Sequence, residues 1–514
     1  MGVHHAWGRT YKDLFQRFRA SLGHELRWQQ GFDCQGLWVE VNVEKDLGYT
    51  SKRQIEEQGL AEFISLCKQR VLTYAARQTE QSIRLGMWMD WNDPADLLAI
   101  RDGLAKDPAA AVTIRGAHGP VTAPAELLAG RLGSPEIGGS YFTFSDENND
   151  LIWRFLAECH RRGWLYKGTD SMPWCARCGT GISQHEMTEG YAEREDPSLY
   201  FAFDLVDRPG EELVAWTTTP WTVPANVAAA VHPEGDYELV EFDGRRLWMA
   251  ASRRAATLGG GAPRATLIER RKGAELVGLR YRGAFDELPA VRLALGESGA
   301  AHRVVAWSEV GSEEGSGVVH IAPGCGSEDH ALGRSEGLPS IAPIDDSGNY
   351  VEGFGALSGR SWNDVVDDVV GALKAAGSLL RRESITHRYP HCWRCSTPLV
   401  FREVDEWFIS MGPVYEKPRA ELSRAEIAAS LRYQIMESVD AISWLPAFGY
   451  ERELDWLMNM SDWMISKKRY WGLALPIFEC GSCGKVEVLT SRSELEDRKS
   501  TRLNSSHITI SYAV

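Results

Sequence analysis

Three pairs of cysteines at C-x-x-C spacing are the residues of this sequence best suited to chemistry. They are Cys175 with Cys178, Cys392 with Cys395, and Cys480 with Cys483. Two such pairs, each presented by a tight turn, can supply the four thiolates of a tetrahedral structural zinc site, with Zn–S distances of about 2.3 Å. In a chain without a secretion signal, this spacing favours metal or redox sites over structural disulfides.

The first two pairs lie more than two hundred positions apart, which is too far for one compact ribbon. We therefore predict that these four cysteines form one structural zinc ribbon, whose halves are separated by an inserted domain. Two unrelated pairs, each with its own partner, are an alternative. A thioredoxin-like redox role is another, although no suitable β-α-β pattern surrounds either pair. The third pair is a further zinc half-site: either its partner pair lies beyond the end of this sequence, which we favour, or the site is empty.

Helices are predicted on the amino-terminal side of the first cysteine pair, from apolar residues at helical spacing. The first covers residues 11–22, and a second follows Ser51, where Ser51 and Gln54 form a plausible capping box. A third covers residues 151–159. Residues 94–139 are rich in Ala, Gly and Pro and have weak periodicity, so we predict a surface insertion there.

Short β runs replace the helical pattern between the first and second cysteine pairs. Residues 212–216 predict a strand, and residues 237–242 and 246–250 predict a hairpin around Asp243-Gly244. A helix over residues 365–373 then leads to the second pair. We expect this β-rich stretch to be the domain that separates the two halves of the ribbon.

Length and composition indicate a soluble protein of about two to four domains. The chain has 514 residues, of which 44% are apolar and 25% charged, and a net charge of −15. No apolar run reaches the ~18 residues of a membrane span, and the amino terminus lacks the layout of a signal peptide. We therefore expect a cytoplasmic location. The acidic balance argues against nucleic-acid binding over the whole surface but leaves room for a local basic groove.

Six stretches of this sequence resemble, in order, segments of the isoleucyl-tRNA synthetases, a family of class I aminoacyl-tRNA synthetases. They are GFDCQGLWVE (31–40), DENNDLIWRFLAECHRRGWLYKG (146–168), WTTTPWTVPAN (216–226), GSGVVHIAPGCGSEDH (315–330), YPHCWRCSTPL (389–399) and DWMISKKRYWG (462–472). The threonine run is the most specific, because the valyl and leucyl enzymes carry a Thr-Arg-Pro form there. The resemblance covers roughly residues 3–92 and 140–490.

The resemblance implies an α/β protein: an incomplete class I Rossmann-type nucleotide-binding domain, interrupted by a zinc-ribbon stalk and a β-barrel-like editing domain. The expected parts are the first half of the catalytic domain (1–93), the surface insertion (94–139), the stalk with the first half of the ribbon (140–194), the editing domain (195–385), the second half of the ribbon and the return to the catalytic domain (386–497), and a tail (498–514). The tail has no link to the preceding pattern and resembles translated sequencing adapter, so we expect it to be non-native.

Editing is needed in this family because isoleucine and valine differ by one methylene. That difference contributes only about 1–3 kcal/mol to discrimination, and the isoleucine enzyme is the standard illustration of this limit. By resemblance, a second pocket would hydrolyse Val-tRNA(Ile) with Thr217, Thr218, Thr219, Trp221, Asn226, His320 and Asp329. The threonines would contact the terminal adenosine and a water, His320 would exclude isoleucine, and Asp329 would pair with the α-ammonium group. Cys325 receives no role.

The amino terminus resembles the His-x-Gly-His motif with His and Gly exchanged, as Gly2-Val3-His4-His5 followed by a helix. The resemblance implies that His4 and His5 face the phosphates of ATP, which is bound with Mg²⁺, and that Asp33 holds the ammonium group of the amino acid. The KMSKS-like loop, the first nucleotide-fold strand and the anticodon-binding domain are not found in this sequence. We therefore expect a fragment that does not aminoacylate tRNA by itself.

Three functions follow as hypotheses. The first is a fragment of an isoleucine–tRNA ligase with editing activity, whose partners are tRNA(Ile), isoleucine and ATP and which is a monomer. The second is a free-standing aminoacyl-tRNA deacylase, which the synthetase-like sequence on both sides of the editing region disfavours. The third is a non-catalytic zinc-ribbon nucleic-acid-binding protein, which would not need the threonine run or Asp329.

Overall fold

The chain forms two compact units in the computed structural model, which describes residues 2–49, 52–188, 190–296, 302–311, 313–467 and 469–501. Unit 1 comprises Met1–Gly168 and Glu406–Val514, and unit 2 comprises Thr169–Asp405. The strands Leu165–Cys175 and Val400–Ile409 carry the chain from one unit to the other. Unit 2 is therefore one continuous stretch, whereas unit 1 is assembled from two. The finer domain boundaries stay predictions.

Unit 1 is mainly helical. Its longest helix, Leu60–Arg84, buries Phe63, Cys67 and Val71 on the face that the apolar spacing predicts. Ser51, of the predicted capping box, lies outside the described residues. The α-helices are Val3–Ser21, Leu37–Leu47, Arg53–Gln58, Leu60–Arg84, Pro94–Lys106, Ala125–Gly130, Asp146–Arg161, Arg424–Ala429, Leu431–Asp440, Phe448–Asn459 and Arg492–Thr501, with a 3-10 turn at Arg419–Glu421. The predicted helices over residues 11–22 and 151–159 are confirmed.

The strands of unit 1 are short. Gly31–Phe32 pairs in parallel with Tyr141–Phe142, and an isolated parallel bridge joins Gln29 to Asp90. The Rossmann-type sheet therefore stays a prediction. The remaining strands are Ala111–Gly116, Gly119–Pro124, Trp463–Met464, Ile477–Glu479 and Val486–Val488.

Residues 94–139, predicted as a surface insertion, contain regular secondary structure. They form the helix Pro94–Lys106, an antiparallel hairpin and the helix Ala125–Gly130. Leu97, Ile100 and Leu128 are fully buried, in the same core as Phe63 and Cys67. Small apolar residues such as Ala and Gly pack closely, and they leave a weak periodicity while still filling a core. The assignment of residues 94–139 as an insertion stays a prediction.

The first helix is amphipathic, yet its apolar side chains face solvent. Trp7, Leu14 and Phe15 are each more than 60% exposed. Polar side chains hold this helix instead, since Asp13 accepts a hydrogen bond from the Trp88 amide at 2.7 Å and Arg9 contacts Gln78.

Unit 2 is built on a mixed ten-stranded sheet. Thr266–Lys272, Asp236–Phe242, Arg245–Ala250, Glu211–Thr217, Val318–Ile321, Ala228–Val231 and Arg303–Ala306 follow one another across it, and Tyr191–Leu205 pairs with Glu211–Thr217, Tyr281–Arg282 and Leu379–Pro390. Thr180–Gly181 lies outside this sheet and pairs with the end of Leu165–Cys175. Helices cover Gln184–Thr188, Arg254–Leu258, Pro289–Gly296, Ser327–Glu336 and Val366–Ala375, and 3-10 turns cover Pro220–Ala225, Ala251–Arg253, Gly259–Arg264, Gly273–Glu275 and Gly355–Leu357.

The predicted elements of unit 2 are confirmed. The hairpin pairs Phe242 with Arg245, and Asp243 and Gly244 form its turn with φ values of 48° and 80°. A turn with two positive φ angles matches the right-handed twist of the strands that it joins. The predicted helix is Val366–Ala375.

Only the start of the predicted tail (498–514) lies within the described residues. Its first residues extend the helix Arg492–Thr501, and residues 502–514 lie outside the described residues. Among the helices that the structure describes, none combines the length and the hydropathy that crossing a membrane would require.

Candidate functional site

The four cysteines of the first two pairs come together in unit 2. The Sγ atoms of Cys175, Cys178, Cys392 and Cys395 all lie within 4.8 Å of one another. The Sγ of Cys395 is 3.5 Å from that of Cys175 and 3.6 Å from that of Cys178. A tetrahedral ion with Zn–S distances of about 2.3 Å places its sulfurs at about this separation. The cluster thus fits a structural zinc ion.

The turns that present these cysteines are stabilised by backbone hydrogen bonds. The Cys178 amide donates to the Sγ of Cys175 at 3.4 Å, and the Cys392 amide donates to the carbonyl of Thr397 at 2.8 Å. Hydrogen bonds from the neighbouring thiols, followed by burial, raise the pKa of Cys175 well above its usual range. Hydrogen bonds from Cys175 and Cys178 lower the pKa of Cys392 and Cys395. Since metal binding requires deprotonated thiols, a divalent ion at this cluster would displace the remaining protons.

The third cysteine pair is a separate knuckle in unit 1. Cys480 and Cys483 lie on the turn that joins Ile477–Glu479 to Val486–Val488, and Cys483 is exposed. Within the described residues, the only group of metal-ligand side chains close enough to share an ion is the four-cysteine cluster of unit 2. Metal binding by this pair stays a prediction.

The threonine run lies at the end of a central strand of unit 2. Glu211–Thr217 ends at Thr217, and the chain turns into the 3-10 helix Pro220–Ala225. The Thr217 and Thr219 hydroxyls are 3.2 Å apart, and the Thr219 amide donates to the Thr217 hydroxyl at 3.1 Å. The run therefore presents adjacent hydroxyl groups on a rigid turn.

His320 joins the second predicted motif to the first. It lies on Val318–Ile321, which pairs in parallel with Glu211–Thr217. Its Nε2 is 2.8 Å from the hydroxyl of Thr222, and its Nδ1 is 3.5 Å from the Nδ2 of Asn226. Burial lowers the pKa of His320 to about 4, so the ring is neutral near pH 7.

Asp329 follows the same strand, in the first turn of the helix Ser327–Glu336. Its Oδ2 accepts a hydrogen bond from the Ala322 amide at 2.8 Å, two residues after His320. Burial raises the pKa of Asp329 to about 6. The group is therefore ionised at neutral pH, in partly desolvated surroundings where a carboxylate binds an ammonium group strongly.

Thr218 and Trp221 border a cleft of about 390 Å³ in unit 2, together with Thr219, Trp362 and Tyr389. Trp221 is buried, and its carbonyl accepts the hydroxyl of Tyr350. The structure thus brings Thr217, Thr219, Asn226 and His320 into one hydrogen-bonded group, with Thr218 and Trp221 beside it and Asp329 tied to the strand of His320.

Two further residues belong to this hydrogen-bonded group and were not predicted from the sequence. Thr222 bonds His320 directly, and its hydroxyl donates to the Thr219 carbonyl at 2.8 Å. Its place inside the quoted motif could have identified it. Tyr281 bonds Asn226 from a strand with no motif, so nothing in the sequence pointed to it.

The predicted nucleotide-site residues of unit 1 are all exposed. His4 and His5 lie in the first turn of Val3–Ser21, with ring centroids 3.9 Å apart. Asp33 directly follows the strand Gly31–Phe32. Their predicted roles toward ATP and the amino acid stay predictions.

A buried contact missed by the sequence analysis joins the two stretches of unit 1. Glu40 is fully buried and accepts hydrogen bonds from the Tyr470 and Trp471 amides at 3.0 and 2.8 Å. The indole of Trp471 donates to the Cys34 carbonyl at 2.7 Å. Trp471 also borders a cleft of about 590 Å³ in unit 1 with Gln35. The buried carboxylate, which accepts from both amides, fixes this loop.

Comparison with known proteins gives matches over nearly the whole chain. The sequence profile of a family described as "tRNA synthetases class I (I, L, M and V)" matches residues 1–106 and 131–512. An isoleucine–tRNA ligase of Methanopyrus kandleri is 34% identical over 96% of this chain and 41% of its own length. That of Pyrococcus horikoshii is 35% identical over 95% and 40%, and isoleucine–tRNA ligase 2 of Pseudomonas fluorescens is 34% identical over 97% and 41%.

The chain therefore spans about two fifths of the length of these curated relatives. Among solved structures, the editing domain of the P. knowlesi cytosolic leucyl-tRNA synthetase covers 37% of this chain and 98% of its own, with 10% identity and a TM-score of 0.29.

Proposed function

Since the chain belongs to the class I tRNA synthetases (I, L, M and V), we propose that it is part of an isoleucine–tRNA ligase and that unit 2 hydrolyses misacylated Val-tRNA(Ile). One observation carries the editing proposal. The 2.8 Å contact between Thr222 and His320 joins the threonine motif to the histidine–aspartate motif. Two motifs a hundred positions apart then act on one ligand.

The chemistry of the proposed pocket is ester hydrolysis. A water adds to the carbonyl carbon of the valyl ester, the bond to the ribose oxygen breaks, and valine and tRNA with a free ribose hydroxyl are released. Asp329 would hold the α-ammonium group, and the hydroxyls of Thr217 and Thr219 would bind the terminal adenosine and orient water. The neutral ring of His320, fixed by Thr222 and Asn226, would form the wall against the longer isoleucine side chain.

In the ligase reaction we propose that His4 and His5 contact the phosphates of ATP bound with Mg²⁺, and that Asp33 holds the ammonium group of isoleucine. The position of both histidines at the amino end of a long helix supports this, because free backbone amides there favour anions. Cys175, Cys178, Cys392 and Cys395 would hold the zinc ion, whose contribution is structural. That this chain does not charge tRNA by itself stays a prediction.

The editing proposal is tested by replacing Asp329 in the whole 514-residue chain. Asp329→Ala should slow the release of labelled valine from Val-tRNA(Ile) by about a hundredfold, because losing one partner of a desolvated charge pair costs about 2–5 kcal/mol. Glu328→Ala, an exposed carboxylate on the same helix, is the matched control and should hydrolyse at the wild-type rate. Equal rates for Asp329→Ala and the wild type would contradict the role of Asp329.

The alternative hypothesis, a non-catalytic nucleic-acid-binding protein, predicts a different result. Its tRNA binding would be the same with valyl-tRNA and uncharged tRNA, and no valine would be released by the wild-type chain. The joined motifs favour the hydrolase, since a binding module would not need a buried histidine hydrogen-bonded to the threonine-bearing turn.

A further inference from the structure

A buried chain of hydrogen bonds runs from Tyr281 to the threonine run. The hydroxyl of Tyr281 is 2.6 Å from the Oδ1 of Asn226, whose Nδ2 faces the Nδ1 of His320 at 3.5 Å. The Nε2 of His320 is 2.8 Å from the Thr222 hydroxyl, and that hydroxyl is 2.8 Å from the Thr219 carbonyl. Tyr281, Asn226 and His320 are each less than 9% exposed, so water does not compete for these groups.

In this series of hydrogen bonds, the groups at the two ends determine which partner donates in each bond. The Ala228 carbonyl can only accept, and it lies 2.9 Å from the Nδ2 of Asn226, which fixes the orientation of the amide. Burial raises the pKa of Tyr281 well above its usual range, so its hydroxyl keeps its proton and donates to the Oδ1 of Asn226. The amide hydrogens then face the Ala228 carbonyl, the Ile321 carbonyl at 3.5 Å and the Nδ1 of His320, and opposite a donor group this nitrogen acts as an acceptor.

An imidazole that accepts at Nδ1 carries its proton at Nε2 when it is neutral. His320 therefore donates from Nε2 to the Thr222 hydroxyl, and Thr222 donates onward to the Thr219 carbonyl. With Nδ1 engaged and Nε2 protonated, neither nitrogen is free to accept a proton from water.

We propose that Tyr281 is a positioning residue of the pocket, which orients Asn226 and thereby holds His320 in the Nε2–H tautomer that anchors the threonine turn. This inference rests on the proposed function and deepens it. His320 then acts as a fixed wall and a hydrogen-bond donor to Thr222, and the turn of Thr219 keeps its shape because its carbonyl is occupied.

The packing around Tyr281 allows its hydroxyl to be tested separately from its ring. The ring centroid lies 4.4 Å from that of Phe203 and 4.9 Å from that of His302. His302 is itself held by Asp286, with its Nε2 2.7 Å from the Oδ1. Tyr281→Phe therefore removes the donor while its neighbours keep the ring in place.

The decisive experiment combines kinetics with ring-nitrogen NMR of the whole chain. For Tyr281→Phe we expect kcat for Val-tRNA(Ile) hydrolysis to fall about tenfold, with KM little changed, and ¹⁵N-labelled His320 to show a mixture of tautomers in place of Nε2–H. Tyr237→Phe is the matched control, because Tyr237 is equally buried in unit 2 and donates to the Gly317 carbonyl at 2.7 Å, away from the pocket. It should keep the wild-type kcat and tautomer.

Asn226→Asp provides a second variant in case Tyr281→Phe does not fold. It keeps the acceptor for Tyr281 and replaces the donor that faces Nδ1, so His320 should shift toward the Nδ1–H tautomer. A wild-type tautomer in the folded variants overturns the inference, as does an unchanged kcat in Tyr281→Phe. If the wild-type chain hydrolyses no Val-tRNA(Ile) but the tautomer shifts as expected, the proposed function fails while the positioning of His320 stands.

Discussion

The pocket of unit 2 and the nucleotide-site residues of unit 1 differ in what fixes their side chains. Thr222, Asn226 and His320 are buried and hydrogen-bonded to one another across neighbouring strands. His4, His5 and Asp33 are exposed, at a helix start and after a two-residue strand. A buried polar network has few alternative arrangements because an unpaired member is costly. Burial and hydrogen bonds therefore define the positions of these side chains in unit 2, whereas in unit 1 the backbone defines only where the residues lie.

The largest expected effect concerns the cysteine cluster and would sharpen this contrast. Cys178→Ser should abolish stoichiometric zinc binding and unfold the stalk of unit 2, because structural zinc contributes about 10–16 kcal/mol to folding in small zinc domains. Valine release should be lost with it. Metal content by mass spectrometry and thermal unfolding measure both effects.

Cys483→Ser is the matched control for that variant, since Cys483 is the exposed member of the isolated third pair. It should retain about one zinc per chain and the wild-type unfolding transition. A folded chain that contains no zinc would contradict the predicted ribbon.

An intermediate effect is expected from the buried carboxylate of unit 1. Glu40→Gln weakens the acceptor of the Tyr470 and Trp471 amides and removes the partner of Lys52, whose Nζ is 3.1 Å from Oε1. Breaking a buried ion pair costs about 3–5 kcal/mol, so urea should unfold unit 1 at a lower concentration. Glu62→Gln, an exposed change on the longest helix, should have no effect. If Glu40→Gln also slowed valine release, the activity of unit 2 would not be independent of the stability of unit 1.

The smallest expected effect is a pH dependence of valine release, which distinguishes the titration of Asp329 from that of His320. The kcat/KM for valine release should fall about tenfold for each pH unit below about 6, as Asp329 takes up a proton and loses its attraction for the ammonium group. His320→Gln should keep this inflection, because burial holds the pKa of His320 at about 4. A pH-independent rate between pH 5 and 7 in the wild type would contradict the assignment.

The raised pKa of Asp329 also predicts how the stability of the folded chain depends on pH. The folded chain holds the proton of Asp329 more tightly than the unfolded chain, whose aspartates titrate near ~3.9. This group's stabilising contribution is therefore complete at low pH and is lost as the pH rises through about 6. Compared with Asp329→Asn, the wild type should lose stability over that interval.

The sequence predicted most where a local pattern determines a local structure. The Asp243-Gly244 hairpin, the helix Val366–Ala375 and the face of Leu60–Arg84 all follow from spacing and turn chemistry. The convergence of the four cysteines was also predicted, because two knuckles can together supply the four ligands of one ion. Family resemblance grouped Thr219 and His320, whose side chains are linked through Thr222.

The sequence could not predict features that depend on contacts between distant positions. Glu40 and Trp471 have no pattern that pairs them, and Tyr281 lies in a short strand without a motif. The buried residues of 94–139 were not predicted, because their small neighbours give a weak periodicity. In each case the deciding quantity is the burial of a group that, by residue type, could equally well face water.

The division of unit 1 into two stretches has a consequence for the order of events on the ribosome. Trp471 meets the carbonyl of Cys34, whereas every strand of the large sheet of unit 2 lies within Thr169–Asp405. During synthesis the whole of unit 2 emerges before the residues that close the core of unit 1. The amino-terminal stretch must therefore wait, with its apolar surface open to chaperones, while all four members of the cysteine cluster have already emerged.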